Sequence, residues 1–329
     1  MKLKKNLPHE QNSDYLSLIT GRKSPFVSNG IRLTANQVSV FSSFRNSQIS
    51  TFLERTPTAR KVIDLLKTKQ GHIINDHIAI RTLTNNDDYS GKSCVEPLFL
   101  LNGYKKEENI FIPSLFLNCH WYEPPQQTNW PKIFISEQDV THLPEKSREI
   151  ALLAINDRLY SDLPLLHSSK NEKQISSLLK TSPFSILSSE FKTIKAESQS
   201  IKSLHDAVHY TIWTLINGFH WNHFTVLVNE LNINSIPSLE DLHVLLKNNN
   251  IPLNSFGTKE VQGSAEKKLK QSSTVADTLL HTFKDSISTH TPGSFIEFIE
   301  RFNYDDGHPM RGFLAGNARG IFTSTNNHL

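Results

Sequence analysis

Between residues 47 and 70, Ile49, Phe52, Leu53, Val62, Ile63, Leu65 and Leu66 recur at the spacing of helices with one buried face. Thr56-Pro57-Thr58 divides the stretch, with proline where a helix start tolerates a missing N–H. Gly71 breaks the period. From 72 to 83 isoleucines fall mostly on one parity among β-branched neighbours, which predicts a buried strand. A polar turn, Asn85-Asn86-Asp87-Asp88, leads into a predicted helix over 95–101 that ends at Gly103. Three short β-like runs follow, over 108–113, 115–122 and 132–136. The first half therefore reads β-α-β-β-β.

Residues 1–45 are polar, rich in serine and asparagine and weakly periodic, which predicts a partly ordered leader with room for one helix. The stretch 145–220 changes character. Serine and lysine are frequent, helical patterns fall over 148–160 and 175–179, and 205–218 is an apolar amphipathic helix, so the segment reads as a helical crossover. The order then recurs, with a strand over 222–228, a helix over 239–248 and short runs near Val261. A helix over 273–283 is expected before a strand over 294–302 and a last strand over 320–325. Such recurrence points to duplication. The expectation is an α+β fold in one catalytic domain over 46–325, with halves 46–144 and 221–325 around a central mixed sheet.

Two of the predicted strands carry a histidine near the front, in Asn75-Asp76-His77-Ile78-Ala79-Ile80-Arg81 and in Asn222-His223-Phe224-Thr225-Val226. Alternate side chains of a strand share a face, so His77 and Arg81 lie together with small Ala79 between them. An imidazole for a metal and a guanidinium further along suit a bound substrate with a distal carboxylate. The same spacing also describes a core histidine beside a strand-end charge. His223 reads equally as a polar strand start. In Phe295-Ile296-Glu297-Phe298-Ile299-Glu300-Arg301, Glu297 shares its face with Phe295 and Ile299. It is either at a solvated edge or buried with a partner, and a metal is a natural one. Glu300 falls on the other face beside Arg301 and reads as a solvated ion-pair residue.

Two imidazoles and a carboxylate can hold a divalent ion and leave positions open for substrate and dioxygen. With 15 histidines and 32 acids some such set occurs by chance, so the test is whether these strands converge. A rival pair, His205 and His209, has zinc-like i, i+4 spacing on a helix but lacks the metalloprotease glutamate. Gly-x-Gly-x-x-Gly is missing, and neither Cys94 nor Cys119 sits in a nucleophile setting.

Composition narrows the class. Apolar residues at 37% and charged ones at 20% are those of a globular chain. A net charge of +3 from scattered residues gives no reason to expect nucleic acid or a membrane surface as partner. Two cysteines build no disulfide framework and fit a reducing compartment. The basic start Met1–Lys5 is followed by no apolar signal region, so a cytoplasmic location is expected.

At these motifs the chain resembles the iron-dependent 2-oxoadipate dioxygenase/decarboxylases. The likeness rests on the two histidine-bearing runs, on Lys132-Ile133-Phe134-Ile135-Ser136-Glu137 and on Gln271-Ser272-Ser273-Thr274-Val275-Ala276-Asp277. It extends through the acid-bearing strand to Gly312-Phe313-Leu314-Ala315-Gly316-Asn317, covers about 47–325, and is poor over 145–200. The last strand and tail are also similar to hydroxyphenylpyruvate dioxygenases, and both likenesses select Glu297 over Glu300. The resemblance implies a vicinal-oxygen-chelate-like fold. It implies Fe(II) on His77, His223 and Glu297, and Arg81 on the distal carboxylate of a 2-oxo acid. It further implies Gln271, Ser272 and Ser273 near the substrate, and conversion of 2-oxoadipate and dioxygen to 2-hydroxyglutarate with loss of carbon dioxide, a step of lysine breakdown.

Overall fold

Strand β2 (Ile73–Thr84) is buried over all but its last residue, as a strand with neighbours on both edges and layers on both faces must be. The computed structural model describes residues 19–21, 33–126, 128–158, 179–180, 182–255 and 259–328. In it β2 pairs in parallel with β5 (Lys132–Asp139) and antiparallel with β6 (Trp221–Leu227). Outward from β5 lie β4 (Leu117–Glu123) and β3 (Lys105–Ile112). Outward from β6 lie β11 (Phe295–Arg301), β8 (Leu269–Ser273) and β7 (Gln262–Ser264). A short strand β1 (Ile19–Gly21) adds to the start of β2.

The order β3-β4-β5-β2 is thus met by its mirror β6-β11-β8-β7. Each half runs strand, helix, strand, strand, strand. The helices are α3 (Gly91–Leu101) in the first half and α7 (Leu239–Asn248) in the second. The repeated β-α-β-β-β order and the mixed central sheet are as expected. Helix α1 (Ala35–Arg55) begins inside the supposed leader, at a capping box in which Thr34 and Gln37 satisfy each other's backbone N–H. Helix α2 (Pro57–Thr68) starts at the expected proline. Of the predicted leader, residues 1–18 and 22–32 lie outside the described residues, as does most of the predicted helix over 175–179.

The crossover supplies α4 (Glu145–Asn156), α5 (Ser188–Ser200) and α6 (His205–Asn217). From Ala207 onward α6 is buried on every side, which makes it a core helix rather than a surface amphipathic one. It covers the Arg81 face of the sheet through Tyr210 and Trp213. α1 covers the opposite face, where Phe52 stacks on Phe224. One apolar cluster runs through both halves. Among the described residues no helix is long and apolar enough to cross a membrane.

Two predicted elements are replaced. The helix expected over 273–283 is instead the end of β8 and an edge hairpin, β9 (Thr278–Thr282) with β10 (Ser288–Pro292). Residues 278–282 alternate between exposed and half-buried with a period of two, and that period prevails over the local helical spacing. The strand expected over 320–325 is helix α8 (Ala315–Phe322) running into a 3₁₀ turn, Thr323–His328. There Thr323, Ser324 and Thr325 each donate a hydroxyl to the carbonyl three residues back, a local bond that competes with sheet pairing.

Gly263 ties this tail to the sheet. Its φ of +84° is in the left-handed region, and a Cβ there would collide with the Leu269 carbonyl and lie 2.6 Å from the Asn317 amide. Gly263→Ala is expected to cost about 1–3 kcal/mol, read as a lower urea midpoint at unchanged m-value.

Candidate metal centre

The seam between the halves carries the chemistry. In the parallel pair of β6 and β11, Phe295 lies beside His223 and Glu297 beside Thr225, so His223, Thr225 and Glu297 share one face. Across the seam Ala79 lies opposite His223, which puts His77 on that face too. His77 and His223 approach to 3.4 Å between their Nε2 atoms. Glu297 Oε2 lies 3.0 Å from His223 Nε2 and 3.7 Å from His77 Nε2. All three side chains are buried, and among the described residues theirs is the group whose ligand atoms converge, within 4.8 Å of one another.

The surroundings turn these atoms inward. Glu297 Oε1 accepts a 2.7 Å hydrogen bond from Gln271 Nε2, whereas Oε2 is buried and accepts none from the described residues. Buried carboxylate oxygens ordinarily find a donor or a cation. The second ring nitrogens face outward, His77 Nδ1 to Asp76 Oδ1 at 2.9 Å and His223 Nδ1 to Asn222 Oδ1 at 3.1 Å. Burial works against the charge on Glu297, but the two imidazoles overcome it and hold the pKa down at about 2. Burial also opposes protonation of His77, yet Glu297 and Asp76 outweigh it and the pKa rises. At His223 burial prevails over Glu297 and the pKa falls. A divalent ion fits this donor set, since it supplies the positive charge on which all three atoms converge.

The duplication is unequal at this point. Lys132 lies beside His77 as Phe295 lies beside His223, so two residues on, Phe134 occupies the place of Glu297. The first half gives one ligand and the second gives two. Phe134 instead lines the cavity at the ligands, together with Gln271, Phe313, Leu314, Ile321 and Phe322. The side of the ligands without a further donor is thus walled mainly by apolar groups.

Arg81 lies on the same face, buried to 1% exposure. Its guanidinium stands 4.9–5.2 Å from the rings of Trp213, Tyr210 and Phe322. It makes two long bonds of 3.3 Å, to Thr325 Oγ1 and the Phe322 carbonyl, and its Nε finds no acceptor among the described residues. Burial lowers its pKa to about 9. Among the described residues no carboxylate pairs with it.

Of the three residues expected near substrate, Gln271 lines the cavity and grips Glu297. Ser273 is on the same face, opposite Glu297, bonded to Ser324 at 2.6 Å. Ser272 is not brought to the cavity. It lies opposite Phe298 on the far face and bonds His243 at 2.8 Å, because neighbouring strand residues point apart. Glu300 is also buried rather than solvated, accepting from the Leu239 N–H and pairing with Lys270 at 3.5 Å. His205 and His209 stack at 3.9 Å, with no third ligand among the described residues.

Asp76 and Arg301 have a place at the site that alternation conceals in one case and reveals in the other. In a regular strand Asp76 and His77 point apart, but β2 shifts register against β6 between Asn75 and Ile78, and a bulge re-aims side chains. Arg301 is four residues beyond Glu297, so its position on the Glu297 face is legible in the sequence. Its guanidinium holds Asp76 with two bonds of 2.7 Å.

A mixed sheet built from two mirrored β-α-β-β-β units, with candidate ligands converging at the seam, is vicinal-oxygen-chelate-like. A solved glyoxalase superfamily protein from Ralstonia eutropha shares the fold, with TM-score 0.67 at 19% identity over 93% of this chain and 95% of that one. The family model described as 2-oxoadipate dioxygenase/decarboxylase matches residues 43–304, and the chain belongs to that family. It is 32% identical to the 2-oxoadipate dioxygenase/decarboxylase, chloroplastic/amyloplastic, of Oryza sativa, over 88% of this chain and 79% of the relative. The crystal structure of the Oryza sativa hydroxyglutarate synthase in complex with 2-oxoadipate aligns with TM-score 0.78 and 29% identity, covering 93% of this chain and 98% of that one.

The rival pair has a consequence for stability. Burial, with help from His205 and Lys195, pushes the His209 pKa from 6.5 down to about 3. The unfolded chain takes up a proton that the folded one refuses, so stability falls as pH drops from 6.5 toward 3. In His209→Leu the slope of unfolding free energy against pH in that window is expected to flatten, by up to about 1.4 kcal/mol per unit. Urea titrations at stepped pH measure it, and an unchanged slope would contradict a neutral His209.

Proposed function

We propose that the chain is an Fe(II)-dependent oxygenase that converts 2-oxoadipate and dioxygen to 2-hydroxyglutarate and carbon dioxide. The observation that carries this reading is the convergence of His77, His223 and Glu297 on the face that also buries Arg81, which pairs with no carboxylate among the described residues. The six carbons of the substrate leave as five and one, and the two atoms of dioxygen are accounted for in the products. His77 Nε2, His223 Nε2 and Glu297 Oε2 would hold the iron. When bound, the iron supplies the activation of dioxygen and the electrons that side chains lack.

The chain's own part is placement and exclusion. Gln271 keeps Glu297 Oε1 engaged, so that Oε2 is the atom offered. Four residues of strand separate His77 from Arg81, about 13 Å at 3.3 Å per residue. An imidazole, a six-carbon diacid and a guanidinium, set end to end, suit that span. Arg81 would bind the distal carboxylate through the donors that are weakly used or unused in the chain alone. Phe134, Phe313, Ile321 and Phe322 wall the cavity at the ligands and would keep stray water from the reacting carbon. We place the reaction in lysine breakdown and, from the buried free thiols Cys94 and Cys119, in a reducing compartment such as the cytoplasm. The plastid labels of the plant relatives belong to those proteins.

Anaerobic Fe(II) loading followed by oxygen-uptake assays tests the reading. Uptake should require 2-oxoadipate and yield 2-hydroxyglutarate, and His77→Ala or His223→Ala should lose both iron and uptake. Turnover without oxygen on zinc or manganese would instead assign an isomerase or lyase of the same fold, and absent oxygen consumption sinks the oxygenase. Arg81→Met removes a charged hydrogen-bonding partner worth about 1.5–3 kcal/mol. Its kcat/KM for 2-oxoadipate should fall by about 10–100-fold, with little change for a 2-oxo acid that lacks the distal carboxylate.

A further inference from the structure

We propose that Asp76 and Arg301 are positioning residues that fix the His77 ring as an Nε2 ligand and set the cavity wall against it. The proposal rests on the metal reading of His77, His223 and Glu297. Asp76 Oδ1 lies 2.9 Å from His77 Nδ1, and an ionised carboxylate can only accept there. The proton is therefore on Nδ1, and the Nε2 lone pair faces His223 and Glu297. Arg301 completes the arrangement. Its Nε and Nη2 donate to the two Asp76 oxygens at 2.7 Å each, a bidentate pair. Its Nη1 donates to the carbonyls of Met310 and Gly312 at 3.1 and 2.9 Å.

Those carbonyls precede Phe313, whose ring stands 4.7 Å from the His77 ring at 82°. The Arg301 guanidinium lies over the Phe313 ring, 5.3 Å from its centroid. One ion pair thus sets the ring of a ligand and the aromatic group that packs on it. Stability alone gives no reason for the pair, because apolar side chains of similar volume serve a buried site as well or better. A carboxylate behind a ligating histidine does have such a reason, since it fixes the tautomer and strengthens the donor. The two histidines differ in this respect. His223 has only the neutral amide of Asn222 behind it.

The test uses the full chain with ions that need no anaerobic chamber. In Zn(II)-loaded protein with ¹⁵N-labelled histidine, His77 should coordinate through Nε2 and show a slowly exchanging, carboxylate-bonded Nδ1–H. Co(II) binding by competition should weaken about 10–100-fold in Asp76→Asn and several-fold in Arg301→Lys. Both changes should occur at unaltered near-UV circular dichroism, where a merely structural pair would lower the melting temperature and leave Co(II) affinity alone. Coordination through His77 Nδ1 overturns the proposal in the native chain, with no variant needed. Co(II) dissociation constants within twofold of native in both variants overturn it as well. A native chain that binds neither ion fails the metal reading itself, which separates that failure from this one.

Discussion

The antiparallel pairing of β2 with β6 is the constraint on which the rest depends. It joins the two halves, and it sets His77 and His223 edge to edge. Both strands are buried throughout their shared length, so a slip by one residue would turn each imidazole into the α1 layer and bring isoleucine and phenylalanine to the cavity. The apolar residues between the functional ones hold the register. Ile78, Ile80, Phe224 and Val226 are fully buried on the α1 side, each contributing about 1.5–3 kcal/mol of burial relative to exposure. The same alternation that secures the core therefore places the ligands.

Alternation is also what made much of the site legible. His77 with Arg81, and Glu297 apart from Glu300, follow from a period of two and needed no tertiary information. The duplicated order was visible because each half repeats strand, helix and turn signals at similar spacing. What stayed hidden depended on partners that sequence does not announce. Asp76 reaches His77 only through a register shift against β6. The residues over 320–325 look like a strand, but their hydroxyls find nearer acceptors in their own backbone. Ser272 was grouped with its neighbours by motif, although parity alone assigns it to the other face. The Thr34 and Gln37 box that starts α1 is readable, and it lies in the stretch where one helix is expected.

Duplication explains a preference as well as a fold. A strictly symmetric seam would give each half a histidine and an acid, four ligands in all. Phe134 in the place of a second acid removes a charge and a donor together. It leaves a site with fewer ligands, and an aromatic wall where an anionic one would repel a carboxylate substrate. The loss of symmetry converts a closed arrangement into an open one, which is the difference between structural and catalytic metal sites.

Charge completes the argument. Asp76 and Arg301 neutralise each other within their own contact, so they add nothing to the field at the cavity. Lys132 beside His77 is likewise buried and is matched by Glu123 at 3.5 Å, which leaves Glu297 and Arg81 as the buried charges there without such a partner. With a divalent ion on the ligands, the face would carry two positive charges in excess. A 2-oxo diacid brings two negative ones and leaves the enclosed site neutral, whereas a monoacid leaves Arg81 buried beside rings and long hydrogen bonds alone. An uncompensated buried charge costs several kcal/mol. On the proposed reading, discrimination in favour of a dicarboxylate would follow from Arg81 having no carboxylate partner among the described residues more than from the shape of the cavity.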